Sequence, residues 1–117
     1  MKIQRLISKL EKHHKKKLDL SLERTFNLLK KLGNPQDKLK NIITVVGTNA
    51  KASMCYSLKS ILNKAGYKCN LYTSPHLLSY TERYIFNDNE IDEENLIDLL
   101  EYTERVLGND NATLFEI

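Results

Sequence analysis

Apolar residues recur at helical spacing in four stretches of the chain. Ile3, Leu6, Ile7 and Leu10 share one face, which predicts an amphipathic helix from Lys2 to about Lys15. Leu22, Phe26, Leu29 and Leu32 predict a second helix, with Asp19 or Ser21 as its N-cap. Gly33-Asn34-Pro35 stops it, since proline cannot continue the hydrogen-bond ladder. Cys55, Leu58, Ile61, Leu62 and Ala65 mark a third helix, which Gly66 ends. Leu96, Leu99, Leu100, Thr103 and Leu107 mark a fourth. Asp92 is its N-cap candidate, and Glu93 and Glu94 place negative charge in its first turn, where the helix dipole favours it. Two runs carry a strand pattern instead. Ile42 to Val46 is a continuous β-branched run suited to a buried strand, and Lys68 to Tyr72 is another strand-like run. Arg83 to Phe86 predicts a short strand, with a turn at Asn87–Glu90. Ala112–Ile117 reads as the opening of one further element.

These elements predict an α/β fold. The strand at Ile42–Val46, the third helix and the run to Tyr72 form a β-α-β unit, for which the expectation is two parallel strands with a right-handed crossover. The first two helices are expected to cover that sheet. In open α/β sheets ligands sit beyond the carboxyl ends of the strands. Two loops fall there, Gly47–Ser53 and Thr73–Ser79.

The first loop carries chemistry. It joins a strand to a helix and contains Lys51 and Ser53. Loop amides and a helix N-terminus attract an anion, and the lysine adds a mobile positive charge. The pattern G-x-x-x-x-G-K-[ST] is not met: its glycine positions hold Val45 and Ala50, and Ala52 stands between Lys51 and Ser53. Spacing alone leaves two readings open, a phosphate loop and an ordinary strand-to-helix turn with a solvated lysine.

Neighbouring motifs add a resemblance. Leu20-Ser-Leu-Glu-Arg24, Leu32-Gly-Asn-Pro-Gln-Asp-Lys38, Val46-Gly-Thr-Asn-Ala-Lys-Ala-Ser53, Gly66-Tyr67, Leu71-Tyr-Thr-Ser-Pro-His-Leu77 and Tyr80-Thr-Glu-Arg83 stand in one order. That order resembles the N-terminal part of the folylpolyglutamate synthase and dihydrofolate synthase family, relatives of the Mur ligases, from about Asp19 to Ile117. The family usually reads Gly-Thr-Asn-Gly-Lys-Gly-Ser in the loop, so Ala50 and Ala52 replace two glycines. Glycine permits positive φ; the expectation here is the mild one, that neither position needs it.

The resemblance implies a P-loop-type three-layer sandwich with a parallel sheet. It implies residues 1–40 as a helical segment and 41–117 as the first part of an ATP-binding ligase domain, in a family whose members are several times longer. It implies an ADP-forming ligase that joins L-glutamate to dihydropteroate or a folate through an acyl phosphate, with ATP and Mg²⁺ as cofactors. Lys51 would bind the β/γ-phosphates. Gly47, Thr48, Asn49, Ala50 and Ala52 would complete the phosphate loop, and Ser53 would hydrogen-bond phosphate. Ser74 and Glu116 would ligate Mg²⁺. Thr73, Pro75, His76 and Leu77 would line the pteroate end of the substrate. Two of these have local alternatives. His76 also reads as a surface loop histidine, and Thr113-Leu-Phe-Glu116 also reads as a capping box. Glu82 and Arg83 read as an ion pair on an exposed strand.

Composition narrows the remaining classes. The 117 residues are 41% hydrophobic and 28% charged, enough for one modest domain. The net charge of +3 is concentrated in a run from Lys9 to Lys17, which reads as a solvated helix face. No aromatics interleave those lysines, so nucleic-acid binding is not expected. A small basic nucleotide- or nucleic-acid-binding module without catalysis is the competing function class. His13 and His14 are adjacent and diverge on a helix, which argues against a paired metal site. Cys55 and Cys69 lack metal-type spacing and read as small core residues. The sequence shows no secretory signal and no bilayer-spanning segment. A cytoplasmic enzyme, monomeric at full length, with small-molecule partners only, is the expectation.

Overall fold

The computed structural model describes residues 2–13, 21–114 and 116–117. Four α-helices, three short strands and two 3₁₀ turns are present among them: α1 Lys2–His13, α2 Glu23–Lys31, a 3₁₀ turn Pro35–Lys38, α3 Lys51–Lys64, β1 Leu71–Tyr72, a 3₁₀ turn Tyr80–Arg83, β2 Tyr84–Phe86, β3 Asn89–Glu90 and α4 Glu93–Leu107. Two compact units divide the chain, residues 1–41 with 97–117, and residues 42–96.

The four predicted helices are all there. In α1 the expected face is realised: Ile3 and Leu10 are fully buried. The basic run from His14 to Lys17, the predicted extension of α1 to Lys15 and the Asp19 cap lie outside the described residues. The N-cap of α2 is Leu22 and not Ser21, which stands one residue earlier and accepts the Glu23 amide at 3.2 Å. The stop falls where expected: Gly33 takes φ 81° after α2, and Asn34, at φ 54°, leads into Pro35. Asp92 caps α4 by accepting the Asn95 amide at 2.8 Å.

In the first unit, Leu28 of α2, Leu107 of α4 and Ala112 form a buried cluster, against which Leu32, Val106 and Ile117 pack. Two polar ties reinforce it. Lys31 donates to the Leu107 carbonyl at 3.2 Å, which also accepts the Asp110 amide at 3.2 Å at the end of α4, and pairs with Asp110 at 2.6 Å. Arg24 pairs with Glu116.

The sheet departs from expectation. It has the order β1-β2-β3 and is antiparallel throughout, with Leu71 opposite Ile85 and Phe86 opposite Asn89. The run Ile42–Val46 forms no ladder, and Ile42, Ile43 and Val46 are 62–85% exposed. The apolar pattern is genuine, but a strand exists only when another strand satisfies its amides, and none of the described residues does so. Likewise only Leu71 and Tyr72 of the second run pair, and their partner is the hairpin that follows. That hairpin turns at Asn87 and Asp88, with φ 48° and 71°, the two positive values a tight two-residue turn requires.

Three side chains of the second unit fix this hairpin. Lys59 of α3, only 8% exposed, pairs with Asp88, and Asn63 donates to the same carboxylate oxygen at 2.6 Å. Thr81, also buried, donates to Glu90 on β3.

Candidate phosphate loop and its neighbours

The segment 47–53 lies wholly in the second unit. The chain leaves Gly47 at φ 155°, passes Thr48 and Asn49, and enters α3 through Ala50. Ala50 is the N-cap residue and stands at φ 57°, in the left-handed region. The mild expectation for this alanine is therefore corrected: its position does need positive φ. A left-handed conformation costs an L-residue roughly 1–2 kcal/mol. Among the described residues, the other non-glycine residues at positive φ are Asn34, Asn41, Asn87 and Asp88, whose side chains tolerate it. Ala52 sits inside α3, where alanine is the best helix former.

No side chain caps α3. The first N–H groups of a helix have no intrahelical partners, so those of Lys51, Ala52 and Ser53 are open to a ligand. Lys51 folds back and donates its ammonium to the Gly47 carbonyl at 2.6 Å. That uses one of its three donors and leaves the charge over the loop. Thr48, Asn49, Lys51 and Ser53 are all exposed. The arrangement can take an anion with several oxygens.

The second loop follows β1, against which α3 packs. Thr73 donates its amide to the Arg83 carbonyl at 3.0 Å, and Ser74 and Pro75 are exposed. Leu77 and Leu78 stand 91% and 88% exposed. What shapes this loop is Glu82. Its carboxylate accepts the amides of Leu77 at 2.9 Å, Leu78 at 2.8 Å and Ser79 at 2.6 Å. The Leu77 and Ser79 amides hold the Glu82 carboxyl below its usual range, against an opposing effect of desolvation. Arg83 donates to His76 Nδ1 at 2.9 Å and lies 4.3 Å from the centre of the Tyr80 ring. The bond fixes the His76 tautomer with its proton on Nε2. The ion-pair reading of Glu82 and Arg83 is thus corrected: each serves the 76–79 loop. The signal is present in Ser79-Tyr-Thr-Glu82, a capping-box spacing just after the proline loop.

An aromatic cluster lies alongside. Tyr84 packs against Tyr72 at 5.3 Å and Tyr80 at 6.4 Å between ring centres, and Tyr80 against His76 at 5.2 Å. Burial, then the neighbouring tyrosines, push the Tyr84 hydroxyl up to about 12.

Glu116 belongs to the other unit. It accepts Arg24 Nη2 at 3.1 Å, Arg24 Nε at 3.3 Å and the Thr113 amide at 2.6 Å. Cys55 and Cys69 are free thiols, and no group of three His, Cys, Asp or Glu side chains capable of holding a metal occurs among the described residues. No helix of the described residues is long and apolar enough to cross a membrane.

Comparison with known proteins gives consistent likenesses. No family model matches. A dihydrofolate synthase/folylpolyglutamate synthase of Escherichia coli is 44% identical over 87 residues, 74% of this chain and 20% of the relative. The dihydrofolate synthetase of Saccharomyces cerevisiae is 38% identical over 77 residues, 66% of this chain and 18% of the relative. A solved structure of E. coli FolC in complex with DHPP and ADP superposes with TM-score 0.84 at 39% identity, over 97% of this chain and 27% of that one. The folylpolyglutamate synthetase from Lactobacillus casei gives TM-score 0.79 at 28% identity, over 94% and 30%. The chain thus spans about a fifth of the length of the curated relatives it matches.

Proposed function

Because the chain belongs, over the residues it shares with them, to the family of dihydrofolate and folylpolyglutamate synthases, we propose that it carries the phosphate-binding segment of an ATP-dependent, ADP-forming ligase that joins L-glutamate to a pteroate or folate. The observation that supports this most is the uncapped start of α3 with the Lys51 ammonium turned over its loop. The FolC structure of the same fold is a complex with ADP.

In this reading the amides of Gly47, Thr48, Asn49, Ala50 and Ala52 take the phosphate oxygens, and Ser53 adds a hydroxyl at the helix start. Lys51 breaks its bond to Gly47 and follows the transferring phosphate. Phosphoryl transfer needs positioning and charge neutralisation more than covalent help, which suits these groups. Magnesium would supply further neutralisation when bound. The exposed Ser74 hydroxyl suits it as an oxygen ligand beside phosphate and water. Thr73, Pro75, His76 and Leu77 form the loop for the pteroate end. Arg83 orients His76 there with an Nε2–H donor outward from the bond, and the exposed Leu77 offers apolar surface to a flat ring.

The finer fold is part of the proposal. Residues 41–117 belong to the first part of a nucleotide-binding domain, and Ile42–Val46 joins a parallel sheet when strands from outside residues 1–117 lie beside it. The exposure of that β-branched run supports this, since it is the composition of an interior strand. Against the binding-module alternative, Lys9, Lys31 and Lys59 are each paired with a carboxylate.

The test is nucleotide-dependent glutamate ligation in the intact protein that carries this segment. Lys51→Ala is expected to reduce turnover at least ~100-fold, as loss of a preorganised contact to transition-state charge does. Turnover left intact would refute the phosphate-loop assignment.

A further inference from the structure

We infer that Glu116 is the fixed counter-ion of Arg24 and the cap of its own turn, and that it is not a magnesium ligand. The motif residue Arg24, to which the ligase reading gives no work, thereby acquires a role. The latch itself is independent of that reading; its consequence for magnesium rests on it.

Three donors converge on one carboxylate. Arg24 lies 92 residues away in sequence and reaches both oxygens, Nη2 to Oε1 at 3.1 Å and Nε to Oε2 at 3.3 Å. This is the two-pronged geometry that makes guanidinium–carboxylate pairs directional. The Thr113 amide adds a third bond to Oε2 at 2.6 Å, and the Glu116 amide returns one to the Thr113 carbonyl at 2.9 Å. A carboxylate has about four lone-pair sites, so three are taken. The two side chains are only 15% and 12% exposed.

Such a group does not fit a metal. Magnesium demands near-octahedral oxygens and gives up its water reluctantly. To reach it, Glu116 would have to give up both prongs from Arg24 and the Thr113 amide, three charge-assisted or backbone bonds already in place. An incoming cation would also meet the positive guanidinium at the same oxygens. What the pair does instead is close a loop. Arg24 stands on α2, whose Leu28 lies in the core with Leu107 and Ala112, and Ile117 packs on that core directly after Glu116. The latch holds the 113–117 turn in register on α2.

The experiment compares wild type with Glu116→Gln, Arg24→Gln and the double variant in the intact protein. Thermal melts are read beside Mn²⁺ binding in the presence of ADP, followed by the electron paramagnetic resonance of free Mn²⁺. Each single variant is expected to lower Tm by roughly 3–6 °C. The double variant should add little to either, because both singles break one interaction. Mn²⁺ affinity in Glu116→Gln should stay within about twofold of wild type, for glutamine keeps the shape and alters only a group away from the metal. A drop in Mn²⁺ affinity of about tenfold or more with Tm unchanged would overturn the inference. Additive melts would overturn it as well. If Arg24→Gln does not fold, Arg24→Lys takes its place: one prong should recover only part of the lost Tm, and full recovery would contradict the fork. Wild-type protein that binds no ADP would refute the ligase reading, while the melts would still decide the latch.

Discussion

Ala50 shows how much one side chain can say about a loop. The family pattern that this motif resembles usually has glycine there, and the backbone still takes the left-handed turn at φ 57°. The methyl group is tolerated, and the strain is stored at the mouth of the candidate phosphate loop. Ala50→Gly should therefore raise the stability of the chain by about 1 kcal/mol, the left-handed penalty less the entropy glycine adds to the unfolded state. Urea melts would check this, and an unchanged or lower midpoint would mean that the position carries no strain. The sequence could not decide the point, since alanine reads identically in either backbone region. Glu82 eludes the sequence for a different reason. Its partners are backbone amides, which leave no trace in residue identity, and only the Ser79–Glu82 spacing points to them. Carboxylates also set the acid response. Glu82 and Asp92 are held low first of all by backbone amides. For Glu116, burial pushes the carboxyl up, but the Thr113 amide and Arg24 outweigh it and leave it low. Folded-state values below the unfolded ones mean that the unfolded chain binds protons first. Their stabilisation is complete above the ordinary carboxylate values, 4.5 for the two glutamates and 3.8 for Asp92, and is lost as pH falls below them. A pH series of melts should show this acid limb, and Glu116→Gln should flatten it.

At the scale of elements, helices and strands divide cleanly in legibility. Each helix is visible in the sequence because its signal is local: a repeat of three to four residues, a cap such as Asp92, a stop such as Gly33. Ile42–Val46 is visible as an apolar run but not as coil, because pairing depends on residues far away along the chain. The turn of the β2–β3 hairpin is legible from Asn87-Asp88. Its anchor is not: Lys59 reads as one more solvated lysine, yet it is the buried charge of α3 and pairs across 29 residues with Asp88. Removing one partner exposes the asymmetry of such pairs. Asp88→Asn, which suits the positive φ, should cost about 1–2 kcal/mol, less than a fully buried pair because Asp88 is 67% exposed. Lys59→Met should be close to neutral. Equal losses in the two variants, measured by urea unfolding, would deny Lys59 its burial cost.

For the whole molecule, the surface carries the message. Val46, Leu77 and Leu78 are at least 85% exposed, and Ile42, Ile43, Ile61 and Tyr67 more than 60%. These seven fall in the unit of residues 42–96 that contains both candidate loops, while Leu22, Phe26 and Leu39, also more than 60% exposed, fall in the other. Apolar surface in this amount drives association when nothing covers it. The 117-residue chain alone should self-associate at micromolar concentration, and sedimentation that stays monomeric across that range would contradict this. The candidate site is legible in its residues, through the run from Gly47 to Ser53 and the Ser74-Pro75-His76 loop. It is not legible in how those residues are held, because Lys51 on Gly47, Arg83 on His76 and Glu82 on three amides are contacts of the folded chain. Whether Lys51 and the open start of α3 hold nucleotide phosphate is decided by calorimetric titration of ADP into the intact protein, wild type against Lys51→Ala. The wild type is expected to bind, and the affinity to fall at least tenfold, about 1.4 kcal/mol, without the ammonium. Equal affinity in the two proteins would contradict this role of Lys51.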